Sequence, residues 1–361
     1  MSFITDTLVA ILTTYIAFTN TLALQVSQWF AVEPTGTELS QPLESGEQTL
    51  TKLPSGFAII PDLLRQSAQY QQATVIGATG ISSPTVTDPL QAIVNIFCTF
   101  RTPEFIQTTT GTGFFIDADG VIMTNAHVAQ FLLLASAEAQ GSAECTVRGG
   151  NPASPLYTAQ LLYIPPAWVQ ENATVRNDVL PMGTGERDYA LLYVDSAVNN
   201  QPLPATFPAL AFNSELLSTR TKDADIVVAG YPAGDLLTLG ASVDLIPRSA
   251  STSVSELYTF GSNRADVFSI RGTAVGAQGS SGGPVLNSVG EVIGMIATRG
   301  DDTVDGAGSL RAITLSHVHR TMLQETGFTL KENLDGNLAL RSQVFTDTMS
   351  PFLLTLLQAG E

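Results

Sequence analysis

The chain of 361 residues holds only three histidines, His127, His317 and His319. Chemistry that needs an imidazole to take and return a proton near neutral pH must use one of them. Two further segments supply the groups that such a base would serve. Asp188 stands directly before the apolar run Tyr189–Val194, which would bury its carboxylate. Ser281 lies in Gly276-Ala-Gln-Gly279-Ser-Ser281-Gly-Gly-Pro284, where glycines permit an exposed, tightly turned backbone with inward-pointing N–H groups. A serine nucleophile, a histidine base, a buried carboxylate orienting the base and amide donors for a developing oxyanion are the parts of acyl transfer. His127, in Thr124-Asn-Ala-His127-Val, follows an apolar run and can present its ring at a barrel edge.

Such groups need elements to hold them. From about Pro89 the chain consists of short β-like runs separated by Gly, Pro and Asp: Ala92–Phe100, Gly113–Ile116, Val121–Thr124, Leu156–Ile164 and Tyr189–Val194. Asp225–Ala229, Thr252–Thr259, Val267–Ile270, Val292–Thr298 and Leu310–Thr314 follow the Pro- and Asn-containing stretch Val198–Pro208. Many short, evenly punctuated strands predict an all-β barrel or sandwich. Ser316–Thr326 and Met349–Leu357 read as helices, and Pro61–Ala73 as a short helix with proline in its first turn. Residues 33–88 read as a polar tether containing that short helix, and as a candidate inhibitory pro-segment; residues 326–361 read as a C-terminal extension.

The N-terminal segment is of another kind. Thr7–Val32 carries no charge, and no Lys or Arg precedes Lys52. As a helix its 26 residues would extend about 39 Å at 1.5 Å per residue, enough to cross a hydrocarbon core. Trp29 and Phe30 stand where an interfacial anchor belongs. The basic n-region and small-x-small site of a cleaved signal peptide are not evident. Residues 1–32 are therefore expected to anchor the protein in a membrane, with a cleaved signal and a packed helix as the alternatives.

The ordered segments resemble the trypsin-like (chymotrypsin-fold) serine proteases, and within them the bacterial HtrA-type branch. The resemblance rests on Gly111-Thr-Gly-Phe, Thr124-Asn-Ala-His127-Val, Asp188-Tyr-Ala-Leu-Leu, Gly279-Ser-Ser281-Gly-Gly-Pro, Gly290-Glu-Val-Ile-Gly294 and Arg311-Ala-Ile-Thr. All six occur in the family's order over about residues 90–325. The resemblance implies two six-stranded antiparallel β-barrels, at about 89–200 and 207–315 of a domain spanning 89–325. It implies Ser281 as nucleophile, His127 as general base and acid, and Asp188 as its orienter, with the backbone N–H groups of Gly279 and Ser281 as the oxyanion hole. Val275 would stand at the base of the primary specificity pocket, implying an apolar or small side chain before the scissile bond. Arg299 would stand at the pocket wall. In this topology the strands of Cys98 and Cys145 are neighbours, which predicts a disulfide, with two buried thiols as the alternative. The implied activity is a serine endopeptidase acting on protein or peptide substrates without metal or organic cofactor, its protease domain extracytoplasmic, or secreted if the N-terminal segment is cleaved. Only about 35 residues follow the helix near His317, too few for the PDZ domain that usually follows in the HtrA branch.

Other readings fit less well. Gly279-Ser-Ser281-Gly-Gly283 also satisfies a nucleophile elbow, with Asp305 and His317 in the order of an α/β-hydrolase; yet that elbow must enter a helix, whereas Gly-Gly-Pro284 leads into the β-like Val285–Thr298. A catalytically silent, peptide-binding protease fold would keep the architecture without the reaction, and a structural membrane protein would use the barrel for assembly. His317 and His319, on a helix beginning near Ser316, are expected on the surface. Asp301, Asp302 and Asp305 lack the spacing of a calcium loop. Sixteen Lys and Arg against thirty-three Asp and Glu leave a net charge of −17, which argues against binding a phosphate backbone. Two cysteines exclude a four-cysteine zinc site.

Overall fold

The computed structural model describes residues 50–52, 63–78, 80, 82–101, 106–135, 142–172, 185–234 and 244–359. The Thr7–Val32 segment and residues 33–49 lie outside them. The described residues contain thirteen strands, ten of them on the β-like runs, and twelve of the thirteen form two closed barrels. The first barrel comprises β2 (Ile93–Arg101), β3 (Ile106–Asp117), β4 (Val121–Thr124), β5 (Ser142–Gly149), β6 (Ser154–Tyr163) and β7 (Ala190–Ala197), closed in the order β2-β3-β4-β7-β6-β5. The second comprises β8 (Asp225–Gly230), β9 (Arg248–Thr259), β10 (Val267–Ile270), β11 (Pro284–Leu286), β12 (Val292–Arg299) and β13 (Leu310–Thr314). It runs β9-β10-β13-β12-β11-β8 and closes where β8 pairs with β9. The pairings within both barrels are antiparallel, and β1 (Thr51–Lys52) adds a short parallel bridge to β9. This is the chymotrypsin-type architecture.

Several strands begin and end close to where their apolar runs do. Val121–Thr124, Val267–Ile270 and Leu310–Thr314 are strands over the predicted residues. The front of β3 is longer than predicted because Ile106-Gln-Thr-Thr-Thr110 has no apolar alternation. It is held instead by pairing with β2 along its length, from Ile93↔Phe114 to Arg101↔Ile106. Closure removes the exposed edges that long strands would otherwise present. The second barrel is filled by Ile226, Val228, Val254, Phe268, Ile270, Val285 and Ile296, all buried.

Helices cover the outside. α1 (Leu63–Gln66) and α2 (Ala68–Val75) precede the first barrel, and α3 (Pro89–Ala92) leads into β2. α4 (Ala126–Leu134) follows β4, α5 (Pro166–Glu171) follows β6, and α6 (Asp302–Asp305) lies between β12 and β13. After β13 come α7 (Leu315–Thr326), α8 (Leu330–Asn333), α9 (Leu338–Val344) and α10 (Ser350–Ala359). Residues 63–75 pack with this C-terminal group: the Tyr70 hydroxyl donates to Asn333 at 3.3 Å and the Gln71 amide to the Thr326 carbonyl at 2.8 Å. Residues farther along the polar stretch are also tied down. Ser82 donates to the Asp117 carboxylate, and Thr85 N–H to the Ala209 carbonyl. Among the described residues no helix is long and apolar enough to cross a membrane.

Candidate active site

β4 ends at Thr124, and Asn125 begins α4 with extended backbone. The first turn of any helix has N–H groups without intrahelical acceptors. Here Asp188, at the entrance to β7, supplies one: its Oδ1 accepts the His127 N–H at 2.9 Å. Its Oδ2 accepts from the His127 ring Nδ1 at 2.8 Å. One buried carboxylate thus caps α4 and orients the imidazole on it, at the end of the helix dipole that favours negative charge. The Asn125 side chain does not cap its own helix; its Nδ2 donates to the Asp188 carbonyl at 2.7 Å. That bond fixes the main chain of the aspartate as well as its carboxylate. Since an ionised carboxylate can only accept, this contact calls for the tautomer with its proton on Nδ1, which leaves the Nε2 lone pair facing away from Asp188.

The Ser281 loop belongs to the second barrel but is bonded to the first. The Thr112 N–H donates to the Ser281 carbonyl at 2.8 Å, and the Thr112 hydroxyl donates to the Gly279 carbonyl at 2.7 Å. The same hydroxyl accepts the Tyr231 N–H, and the Thr112 carbonyl accepts the Thr124 hydroxyl. Gly282 has φ +88°, and a Cβ there would strike the Thr112 carbonyl and the Thr124 hydroxyl. Only glycine lets the serine loop come this close to the strand that delivers His127. Gly279 has φ +94° and lies against the Tyr231 carbonyl, where a Cβ would meet it at 2.6 Å. Ser280 is not available as a nucleophile, because its hydroxyl donates to the Val275 carbonyl at 2.5 Å. The Gly282 and Gly283 N–H groups donate to the carbonyls of Ile296 and Ser280. The Gly279 and Ser281 N–H groups, by contrast, have no main-chain acceptor among the described residues.

The remaining predicted positions are placed as follows. Val275 is fully buried within the apolar core of the second barrel, so the base of its loop carries no charge. Arg299, at the end of β12, is exposed and pairs with Asp302 of α6 at 2.8 Å. Cys98 and Cys145 are direct partners across β2 and β5, with their sulphurs 2.07 Å apart. Among the described residues no group of three or more His, Cys, Asp and Glu side chains could hold a metal ion.

One expectation is corrected. His317 is not on the surface: it is buried on α7, its Nδ1 3.2 Å from Asp266 Oδ1, with the Phe260 ring 5.3 Å from its own. The helix was placed correctly, but its first turn packs onto the second barrel, which periodicity in so short a run did not reveal. Burial lowers the His317 pKa, while the hydrogen bond and charge of Asp266 oppose that shift. Asp266 itself is held well below the usual carboxylate range. Desolvation works against this, but donors from His317, Ser262 and the Phe260 N–H outweigh it. Thr112 and Asn125 were also unforeseen as parts of the site. Both lie inside the segments that carry the family resemblance, Gly111-Thr-Gly and Thr-Asn-Ala-His.

A sequence model described as a trypsin-like peptidase domain matches residues 111–295, slightly more than half of the chain. Among solved structures, the chain is similar to the active form of the Rv3671c protease from M. tuberculosis, with 22% identity, a TM-score of 0.40, and coverage of 82% of this chain and 99% of that one. It is similar to the inactive form of the Rv3671c protease at 24% identity and a TM-score of 0.37, covering 69% of this chain and 99% of that one. No curated protein sequence is significantly similar.

Proposed function

The chain belongs to the trypsin-like peptidase domain family, and from that premise we propose that it is a serine endopeptidase with His127, Asp188 and Ser281 as its triad. The observation that carries the reading is the His127 Nδ1–Asp188 Oδ2 contact of 2.8 Å beside a serine loop that Thr112 ties to the same barrel. In the proposed cycle Ser281 Oγ attacks a peptide carbonyl as its proton passes to His127 Nε2. The imidazolium is stabilised by the Asp188 carboxylate, and the tetrahedral oxyanion by the Gly279 and Ser281 N–H groups. His127 then gives the proton to the leaving amine, and water, activated by the same base, hydrolyses the acyl-enzyme. The uncharged base of the Val275 loop favours an apolar or small side chain before the scissile bond. Thr7–Val32 is proposed as the membrane anchor that holds this domain on the extracytoplasmic side.

The test is labelling of the folded protein by a fluorophosphonate, with hydrolysis of a peptide library measured in parallel. Wild type should react at Ser281, and Ser281→Ala should lose both labelling and hydrolysis. Lack of labelling in the folded wild-type chain would replace this reading by a catalytically silent, peptide-binding protease fold.

A further inference from the structure

Asp188 is the apex of a tight turn that the second barrel grips from both sides. The residue before it, Arg187, has φ +56°, a left-handed conformation that a non-glycine residue keeps only when its surroundings impose it. The Tyr189 N–H closes the turn by donating to the Arg187 carbonyl at 2.9 Å. On one side the Arg187 guanidinium pairs with the Glu325 carboxylate. On the other the Tyr189 hydroxyl bonds to Thr321 Oγ1 at 2.8 Å. Since Thr321 Oγ1 donates to the His317 carbonyl, the tyrosine is the donor in that bond.

Thr321 and Glu325 are four residues apart and therefore share one face of α7. Tyr163 completes the grip. Its hydroxyl donates to the second Glu325 oxygen at 2.8 Å, and its ring stacks on that of Tyr189 with centroids 6.0 Å apart. The other end of α7 is fastened to the second barrel. It follows β13 directly, buries Leu315, Val318 and Met322, and carries the His317 that bonds Asp266 beside β10. The helix thus runs from the barrel that holds Ser281 to the turn of the other barrel that holds Asp188.

We propose that Glu325, with Thr321, is a positioning device for the reaction: α7 brackets the Asp188 turn through Arg187 and Tyr189 and sets the His127–Asp188 pair relative to the serine loop. The inference rests on the triad reading given above. A buried ion pair contributes little net stability compared with an apolar replacement, but it fixes geometry when its hydrogen bonds are satisfied. The Glu325 carboxylate has one donor on each oxygen, from two different strand ends. Removing it frees the Arg187 turn, and the aspartate carboxylate loses the alignment that keeps Nδ1 protonated and Nε2 basic.

The experiment is kinetic and spectroscopic, on the full chain. Glu325→Gln and Glu325→Ala should lower kcat at least about tenfold with KM changed less than twofold, as expected when an interaction made in the transition state is lost. The acid limb of the kcat/KM profile, which reports the free base, should move to lower pH as the imidazolium loses its partner. The low-field proton resonance of the His127 Nδ1–H should weaken or move upfield in the same variants, a readout that needs no turnover. Tyr189→Phe should show a smaller effect in the same direction. If Glu325→Ala fails to fold, Glu325→Gln and Tyr189→Phe carry the test, with the charge-reversed pair Arg187→Glu/Glu325→Arg expected to recover part of the rate lost in each single variant. A variant whose profile is scaled down without a shifted limb or resonance would show only a smaller folded fraction and overturn the proposal. A wild-type chain that is neither labelled nor active would overturn the triad reading, whereas an active wild type matched by Glu325→Gln would overturn the bracket alone.

Discussion

Two histidine–aspartate pairs are buried in this molecule, and they are built for different ends. In each, a ring Nδ1 meets a fully buried carboxylate, at 2.8 Å for His127–Asp188 and 3.2 Å for His317–Asp266. Among the described residues the Asp188 carboxylate accepts only from His127, once from its ring and once from its main chain. Asp266 accepts from His317, Thr259, Ser262, the Phe260 N–H and the Arg320 guanidinium. The hydrogen bond and charge of Asp266, which His317 shares with Arg320, oppose the effect of burial on His317 but do not outweigh it. Burial then keeps His317 neutral, with its Nε2 enclosed and unpartnered. Among the described residues no arginine or lysine competes with His127 for the Asp188 carboxylate. An identical pair of residue types thus meets an uncrowded carboxylate in one setting and a heavily bonded one in the other. What surrounds the carboxylate makes the difference.

Exchanging the same substitution between the two pairs gives the largest contrast. Asp188→Asn should reduce kcat by about 10⁴-fold, the size of the effect in the serine-protease template, because the amide favours the wrong imidazole tautomer. Its melting temperature should change far less. Asp266→Asn should leave the rate per folded molecule within about twofold, yet cost about 3 kcal/mol in urea unfolding, since Arg320 loses its buried partner. Equal loss of turnover in the two variants would abolish the distinction.

The barrels differ as well: only the first has its sheet crossed by the Cys98–Cys145 contact. With the two cysteines 47 positions apart in sequence, a bond there should stabilise the fold by about 4 kcal/mol in the loop-entropy view. Cys98→Ala should therefore lower stability by about that amount under oxidising conditions and by much less under reducing ones. Non-reducing mass spectrometry showing two free thiols would remove the reason for the difference.

The smallest effect is in the pH dependence of stability. The His317 pKa is lowered in the fold, so the unfolded chain binds more protons as pH falls through its ordinary value near about 6.5. Stability from this group is present above that pH and is lost below it, by at most about 1.4 kcal/mol per pH unit. Asp266, whose pKa is depressed, adds a second loss below about pH 4. His317→Phe should flatten the slope of unfolding free energy between about pH 6.5 and 5 while keeping activity. An unchanged slope would mean that His317 is protonated in the native state.

Much of the architecture was legible without coordinates. Val121–Thr124, Val267–Ile270 and Leu310–Thr314 are strands over the predicted residues because apolar content and turn punctuation there agree with the final pairing. Asp188 was recognisable by its place directly before an apolar strand, within a segment that resembles the family's. Ser281 was marked by the glycines around it, which permit a tightly turned backbone, and by the resemblance of Gly279-Ser-Ser281-Gly-Gly-Pro to the family's serine loop.

What sequence could not contain is whatever depends on two distant segments meeting. Whether His317 is exposed depends on which side of α7 faces the second barrel, and twelve residues of mixed polarity leave that open. That Thr112 ties the serine loop, that Asn125 holds the Asp188 carbonyl rather than capping α4, and that Glu325 reaches Arg187 over 138 positions are outcomes of barrel closure and docking. The chain by itself determined which residue types are available for acyl transfer and on which elements they lie, because propensity and periodicity are local. Only the tertiary structure decided which histidine faces an uncrowded carboxylate, because burial and hydrogen-bond competition are properties of the packed whole.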